Sequence, residues 1–179
     1  MNSPYLFQSK RLGYRKWQDK DLLPMAALNA DPEVMEFFPS TQSLEETKIF
    51  FQRVAKNFED HGFCWYAVDV LKSREFIGFI GLAWCEMEAD FTPCAEIGWR
   101  LKKSAWGKGY ATEGATRCLA YGFEELQFKE IYSFTTTTNI RSERVMQKIG
   151  MSKVGVFEHP KMAIGHPLRP HVLYHISAS

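Results

Sequence analysis

The sequence predicts one α+β domain, residues 1–179, around a mixed and mostly antiparallel central sheet flanked by helices. Three observations carry that expectation. Of 179 residues, 45% are hydrophobic and 15% aromatic, enough for a buried core and too apolar for a disordered chain. Residues 64 to 101 form a block of β-rich runs broken by short polar turns. Beyond it, helical and extended patterns alternate to the end without a repeat or a low-complexity linker.

Taken in order, RLGYRKW from Arg11 reads as a strand. DLLPMAALNA reads as a helix whose proline sits in the first turn, where a missing N–H does least harm. DPEVMEFF predicts a second short helical turn, with Asp31 as cap and Pro32 at the first helical position. SLEETKIFFQRVAKNFEDHG opens on a capping box, Ser43 and Glu46, and closes on Gly62. Ile49, Phe50, Val54 and Phe58 recur there at helical spacing and predict its apolar face.

CWYAVDVL and EFIGFIGLAWCEM flank the turn KSR and predict an antiparallel hairpin, with CAEIGWRL as a third strand. A glycine-rich bend then leads into the helix ATEGATRCLAYGFEELQ. EIYSFTTTT reads as a strand, NIRSERVMQKIG as a helix ending at Gly150, and KVGVFE and HVLYHIS as two closing strands.

Several function classes are disfavoured at once. With 22 basic and 21 acidic residues, no global field draws the chain to nucleic acid or an anionic membrane. No long apolar run follows a basic start, so no signal peptide is expected, and no segment has the length of a membrane span. Cys64, Cys85, Cys94 and Cys118 form no CxxC pair and no cysteine/histidine cluster, so no metal site is expected. Their apolar neighbours suit free core thiols in a reducing cytoplasm.

WGKGYATEG, residues 106 to 114, is the informative stretch. It lacks the GxxxxGK[ST] of a P-loop, and Thr112 stands where a dinucleotide fingerprint needs its third glycine. What remains is a strand, a glycine bend and a helix starting near Tyr110. The first turn of a helix leaves N–H groups without partners, at the positive end of the macrodipole. Glycines at 107 and 109 allow a bulky anion to approach that backbone. On residues alone, a turn that merely connects strand to helix accounts for the pattern equally well.

AEIGWRLKKSAWGKGYATEG, with NIRSERVMQKIGM downstream, resembles the GNAT superfamily of acyl-CoA-dependent N-acetyltransferases. Within it the chain is similar to the RimJ/RimL-type branch. The likeness is most specific in WGKGYATE and in the Asn139/Ser142/Lys148/Gly150 spacing. One position departs: the superfamily motif opens with Gln or Arg three places before the first glycine, where this chain has Ser104.

The resemblance implies a GNAT fold splayed between the strands at about 94–101 and 130–138, with acetyl-CoA as cosubstrate. It puts the pyrophosphate on the backbone from about Gly107 to Thr112, through Gly107, Lys108, Gly109, Tyr110, Ala111 and Thr112, next to Trp106. It puts the pantetheine arm against main-chain groups of Trp99, Arg100 and Leu101, as an added strand. Asn139 and Ser142 are then cofactor contacts, with Ser142 the proton donor to the departing thiolate. Capping alone accounts for Asn139, and an exposed helix serine for Ser142.

Acetyl transfer needs a neutral amine, and an α-amine titrates near about 8 and a lysine-like amine near about 10.4, so a general base is expected. Alternation along CAEIGWRL sets Glu96, Gly98 and Arg100 on one face, which makes Glu96 the candidate base. An ion pair between Glu96 and Arg100 is the competing structural role. Cys94 is read as a core thiol rather than a nucleophile. Phe37, Phe38, Pro39, Trp84, His166 and His171 are candidate walls of an acceptor pocket. The acceptor is either a protein N-terminus, as in the RimJ/RimL type, or a small-molecule amine. A non-catalytic acyl-CoA sensing module is the alternative, and monomer and homodimer are both open.

Overall fold

The computed structural model describes residues 3–178. Its strands are β1 (Phe7–Gln8), β2 (Leu12–Arg15), β3 (Trp65–Val70), β4 (Glu75–Cys85), β5 (Cys94–Leu101), β6 (Glu130–Thr136), β7 (Ser152–Glu158) and β8 (Pro170–Ser177). Its helices are α1 (Leu22–Ala30), α2 (Leu44–His61), α3 (Tyr110–Glu124) and α4 (Ile140–Lys148). The strands form a single sheet in the order β1-β2-β3-β4-β5-β6-β8-β7.

Every neighbouring pair runs antiparallel except β5 and β6. That exception divides the sheet. β4 and β5 pair along their whole shared length, from Gly78↔Leu101 to Cys85↔Cys94. β5 and β6 meet at one register position, Glu96↔Tyr132, and separate beyond it. The Ser133 hydroxyl closes the junction by donating to the Ile97 carbonyl at 3.0 Å.

The helices take opposite faces because residues alternate across the strands. Ile80 meets α3, whose Gly114 comes so near that a β-carbon would stand 2.3 Å from Ile80 Cδ1 and 2.9 Å from Tyr14 Oη. The third glycine of WGKGYATEG thus belongs to helix–sheet packing. Phe79, one residue away, meets Phe50 of α2, and Asn29 of α1 reaches the same face. α4 packs beside α3 and against β6.

The capping box of α2 is present: Glu46 N donates to Ser43 Oγ at 3.2 Å, Ser43 N donates to Glu46 Oε2 at 2.7 Å, and Gly62 ends the helix at φ 80°. Two expectations are corrected. Residues 31–38 form turns but no helix, since isolated bonds from Met35 N to Asp31 O and Phe38 N to Met35 O never propagate. Phe38 also precedes Pro39, which disfavours helical backbone there. Ile49 is 61% exposed, and the buried stripe of α2 runs instead through Thr47, Phe50 and Val54. Thr47 can be buried because its hydroxyl accepts from Asn29 Nδ2 and donates to Ser43 O.

The short β1 was not anticipated; two residues carry too little periodicity to be read. No helix among the described residues is long and apolar enough to cross a membrane. All four cysteines are free thiols.

Candidate functional site

The glycine bend is open. Trp106 N donates to Lys103 O at 3.0 Å, and the next backbone donor engaged is Glu113 N, bonded to Gly109 O at 3.0 Å. Between them, the N–H groups of Gly107, Lys108, Gly109, Tyr110, Ala111 and Thr112 meet no acceptor among the described residues. Gly107 and Gly109 hold φ of 70° and 78°, a left-handed backbone that side chains resist. Nothing lies within 4 Å of a β-carbon built on Gly107.

Two neighbours shape this bend. The Trp106 indole donates to Leu101 O at 2.8 Å, pinning the bend to the end of β5. The Arg141 guanidinium of α4 lies 4.4 Å over the same indole. Glu113, a negative charge in the first turn of α3, would repel an anion. Its carboxylate is instead occupied by Ser9 Oγ, Arg11 N and Arg11 Nε, at 2.7, 2.7 and 2.6 Å. Arg11 Nη2 would stand 3.5 Å from a β-carbon on Gly109, so this guanidinium borders the bend. Sequence reasoning missed Arg11, because only the fold brings residue 11 beside residue 109.

The gap between β5 and β6 presents a particular set of main-chain groups. Ile97 O receives Ser133 from the β6 side, while Lys102 N bonds Ile77 O on the β4 side. By alternation Ile97, Trp99 and Leu101 turn their peptide groups into the gap, and Glu96, Gly98 and Arg100 turn theirs to β4. Leu101 O is occupied by Trp106, which leaves Trp99 as the strand's exposed peptide edge in the gap. The Arg100 carbonyl points at Gly78, where it would lie 2.1 Å from a β-carbon.

Glu96 lies on the α2 face beside a cavity of about 430 Å³, lined in part by Arg53, Trp65, Trp84, Phe134, His159 and Lys161. Burial pushes its carboxyl up to about 8, helped by Cys85 and opposed by Arg53 and Lys161. The ion pair with Arg100 does not form. Trp65 intervenes, its indole laid over Gly98 with Nε1 3.2 Å from a β-carbon built there. That indole N–H is buried and has no partner among the described residues. Arg100 instead donates to Asn29 Oδ1 at 2.7 Å and stacks 4.1 Å over Phe38, its pKa lowered to about 10 by burial and Arg53.

Cys94 is buried two residues before Glu96 on this face, and hydrogen bonding to Cys85, with burial second, pushes its thiol up, as an inert core thiol requires.

Asn139 caps α4, accepting from Ser142 N at 3.2 Å. Its amide donates to Thr135 Oγ1 at 3.0 Å and to Ser142 Oγ at 3.1 Å, so both side-chain N–H bonds are used within the protein. Ser142 Oγ thereby accepts one bond and keeps its hydroxyl hydrogen uncommitted. Its helix, α4, packs beside α3 and against β6. Trp84 lines the cavity beside Glu96. The histidine that reaches it is His159, held down to about 4 by burial, His171 and Lys161. His171 packs behind it at 4.7 Å between ring centroids, and His166 accepts from Leu168 N in its own loop.

The family model for the acetyltransferase (GNAT) domain matches residues 11–152, and the chain belongs to that family. It is an acetyl-CoA-dependent N-acetyltransferase by that membership and by the names of its relatives. The Bacillus subtilis (strain 168) protein called uncharacterized N-acetyltransferase YnaD is 33% identical over 151 residues, 84% of each chain. An acetyltransferase (GNAT family) from Bacillus anthracis superposes with a TM-score of 0.77 at 28% identity, covering 95% of this chain and 96% of that one. Two more distant structures share the fold. Spermidine N-acetyltransferase from Vibrio cholerae, in complex with CoA and spermine, has a TM-score of 0.73 at 20% identity, covering 93% of this chain and 95% of that one. Ribosomal-protein-S5-alanine acetyltransferase from Vibrio fischeri has 0.74 at 15%, covering 96% and 95%.

Proposed function

We propose that this chain, as one catalytic domain, acetylates a primary amine by direct attack in a ternary complex, without a covalent enzyme intermediate. One observation carries the reading: six consecutive amides, 107 to 112, at a helix N-terminus have no partner among the described residues. Such donors suit a diphosphate, each charge-assisted bond contributing about 1.5–3 kcal/mol. Lys108 adds positive charge beside them, and Arg11 offsets the charge of Glu113 there. The peptide groups of Trp99 suit an amide-bearing arm laid in the gap as an extra strand.

Bound acetyl-CoA supplies an activated thioester, whose carbonyl carbon takes the nitrogen and whose C–S bond breaks. Glu96, in its ionised form, accepts a proton from the incoming ammonium and so exposes the nitrogen lone pair. The second proton leaves the nitrogen to solvent water as the amide forms, and Ser142 recovers from that solvent the proton it gives up. Ser142, with its hydroxyl hydrogen uncommitted, protonates the departing thiolate. Asn139 acts as a positioning residue that holds Ser142, since its own donors are already used.

The RimJ/RimL likeness points towards an N-terminal amine, and the spermidine enzyme's fold towards a polyamine; both belong to proteins too distant to decide the acceptor. The free thiols support a reducing, cytoplasmic setting. The test is CoA release, followed with a thiol reagent, over a panel of small amines and N-terminal peptides. Amine-dependent release supports the proposal. Acetyl-CoA binding with no release for any amine would favour a sensing module.

A further inference from the structure

Resting on the acetyltransferase reading, we infer that the acceptor carries a carboxylate or equivalent anion close to its amine, and that Arg53 recognises it. The cavity beside Glu96 has an unbalanced set of charges. Lys56 and Asp60 neutralise each other at 2.7 Å, and Glu86, like Arg53 and Lys161, holds an exposed position in the lining. Arg53 and Lys161 line the same space, and neither has a carboxylate within 4 Å among the described residues. Arg100 is a further guanidinium on this face without an acidic partner, its Nε buried and unbonded.

Donors also exceed acceptors. The Trp65 indole N–H is buried at the floor with nothing to bond, and an unpaired buried donor is costly unless a ligand meets it. Glu96 does not restore the balance, because the same burial that makes it a usable base keeps most of it uncharged near neutral pH. A polyamine entering here would meet Arg53 and Lys161, with Glu86 as the one carboxylate of the lining besides Glu96 and the paired Asp60. An amino acid or related amino-anion would present its amine to Glu96, its anion to Arg53 and Lys161, and its side chain to Trp84 and Phe134.

The test compares L-phenylalanine, L-methionine and L-aspartate with their carboxamides, alongside spermidine and an N-terminal alanyl peptide. The carboxamides hold less basic amines, so a preference for the free acids cannot come from amine ionisation. The inference expects kcat/KM to favour the acids by about tenfold or more. It expects Arg53→Met to level each acid–amide pair by raising KM for the acid, and Arg53→Lys to restore part of the preference. Equal or better turnover of carboxamides, spermidine or the peptide overturns the inference and leaves the acetyltransferase reading standing. So does an unchanged preference in Arg53→Met. Failure to bind acetyl-CoA at all overturns the acetyltransferase reading instead.

Discussion

The Trp65 indole lies over Gly98, with Nε1 3.2 Å from the position a β-carbon of residue 98 would take. Trp65 belongs to β3 and Gly98 to β5, so the ring crosses β4 at Gly81 to reach it. This contact separates Glu96 from Arg100 and forms the cavity floor. Gly98→Ala should displace the indole, raising KM for the amine several-fold with acetyl-CoA affinity nearly unchanged. Steady-state kinetics with calorimetry read both; a loss confined to acetyl-CoA binding would contradict this placement.

Glu96→Gln should lower kcat by about 10²–10⁴-fold, the usual worth of a general base. Only the carboxylate can take a proton, so wild-type activity should climb with pH and level off above about 8. In the variant that limb should vanish, leaving only the ionisation of the amine. A variant with wild-type activity across the pH range would remove Glu96 from the chemistry.

The same carboxyl leaves a mark on stability. Its pKa in the folded state is raised from 4.5 to about 8, so the fold favours the neutral form. Its contribution is intact below about 4.5 and is lost as pH rises through about 8. Glutamine carries no such penalty, so melting temperatures should move in favour of Glu96→Gln across that window. Parallel pH profiles for the two proteins would refute the raised pKa.

Gly109→Ala and Gly62→Ala impose the same backbone strain, at φ of 78° and 80°, costing about 1–2 kcal/mol each. Both should lose similar stability in denaturant titrations. Only Gly109→Ala should also weaken acetyl-CoA binding, because its methyl group enters the bend. Equal acetyl-CoA affinity in the two variants would argue against that placement.

Arg15 is buried between Asp21 and Asp69, with bonds of 2.6 to 2.9 Å to all four carboxylate oxygens. Asp21→Ala strands part of that charge and should cost about 3–5 kcal/mol. Chemical denaturation measures it, and a loss under about 1 kcal/mol would contradict a fully paired buried network.

The elements with strong local signals were legible in the sequence: the capping box at Ser43, the hairpin around KSR and the left-handed glycines at 107 and 109. Glu96 was legible too, because alternation along CAEIGWRL sets its face without tertiary knowledge. Residues 31–38 were misread because cap and proline chemistry suit an isolated turn as well as a helix. The supposed Glu96–Arg100 pair failed because spacing on one strand says nothing about Trp65 arriving from another. Arg11, Arg53, His159 and Lys161 stayed hidden for the same reason. Each sits far along the chain from the residues it faces, and no local pattern encodes that approach.

The most direct measurement follows the backbone amide resonances of 107–112 in an ¹⁵N-labelled sample titrated with acetyl-CoA. If these amides grip the diphosphate, their signals should shift in step as acetyl-CoA saturates the protein. Saturation with those six signals unmoved would contradict the account at its root.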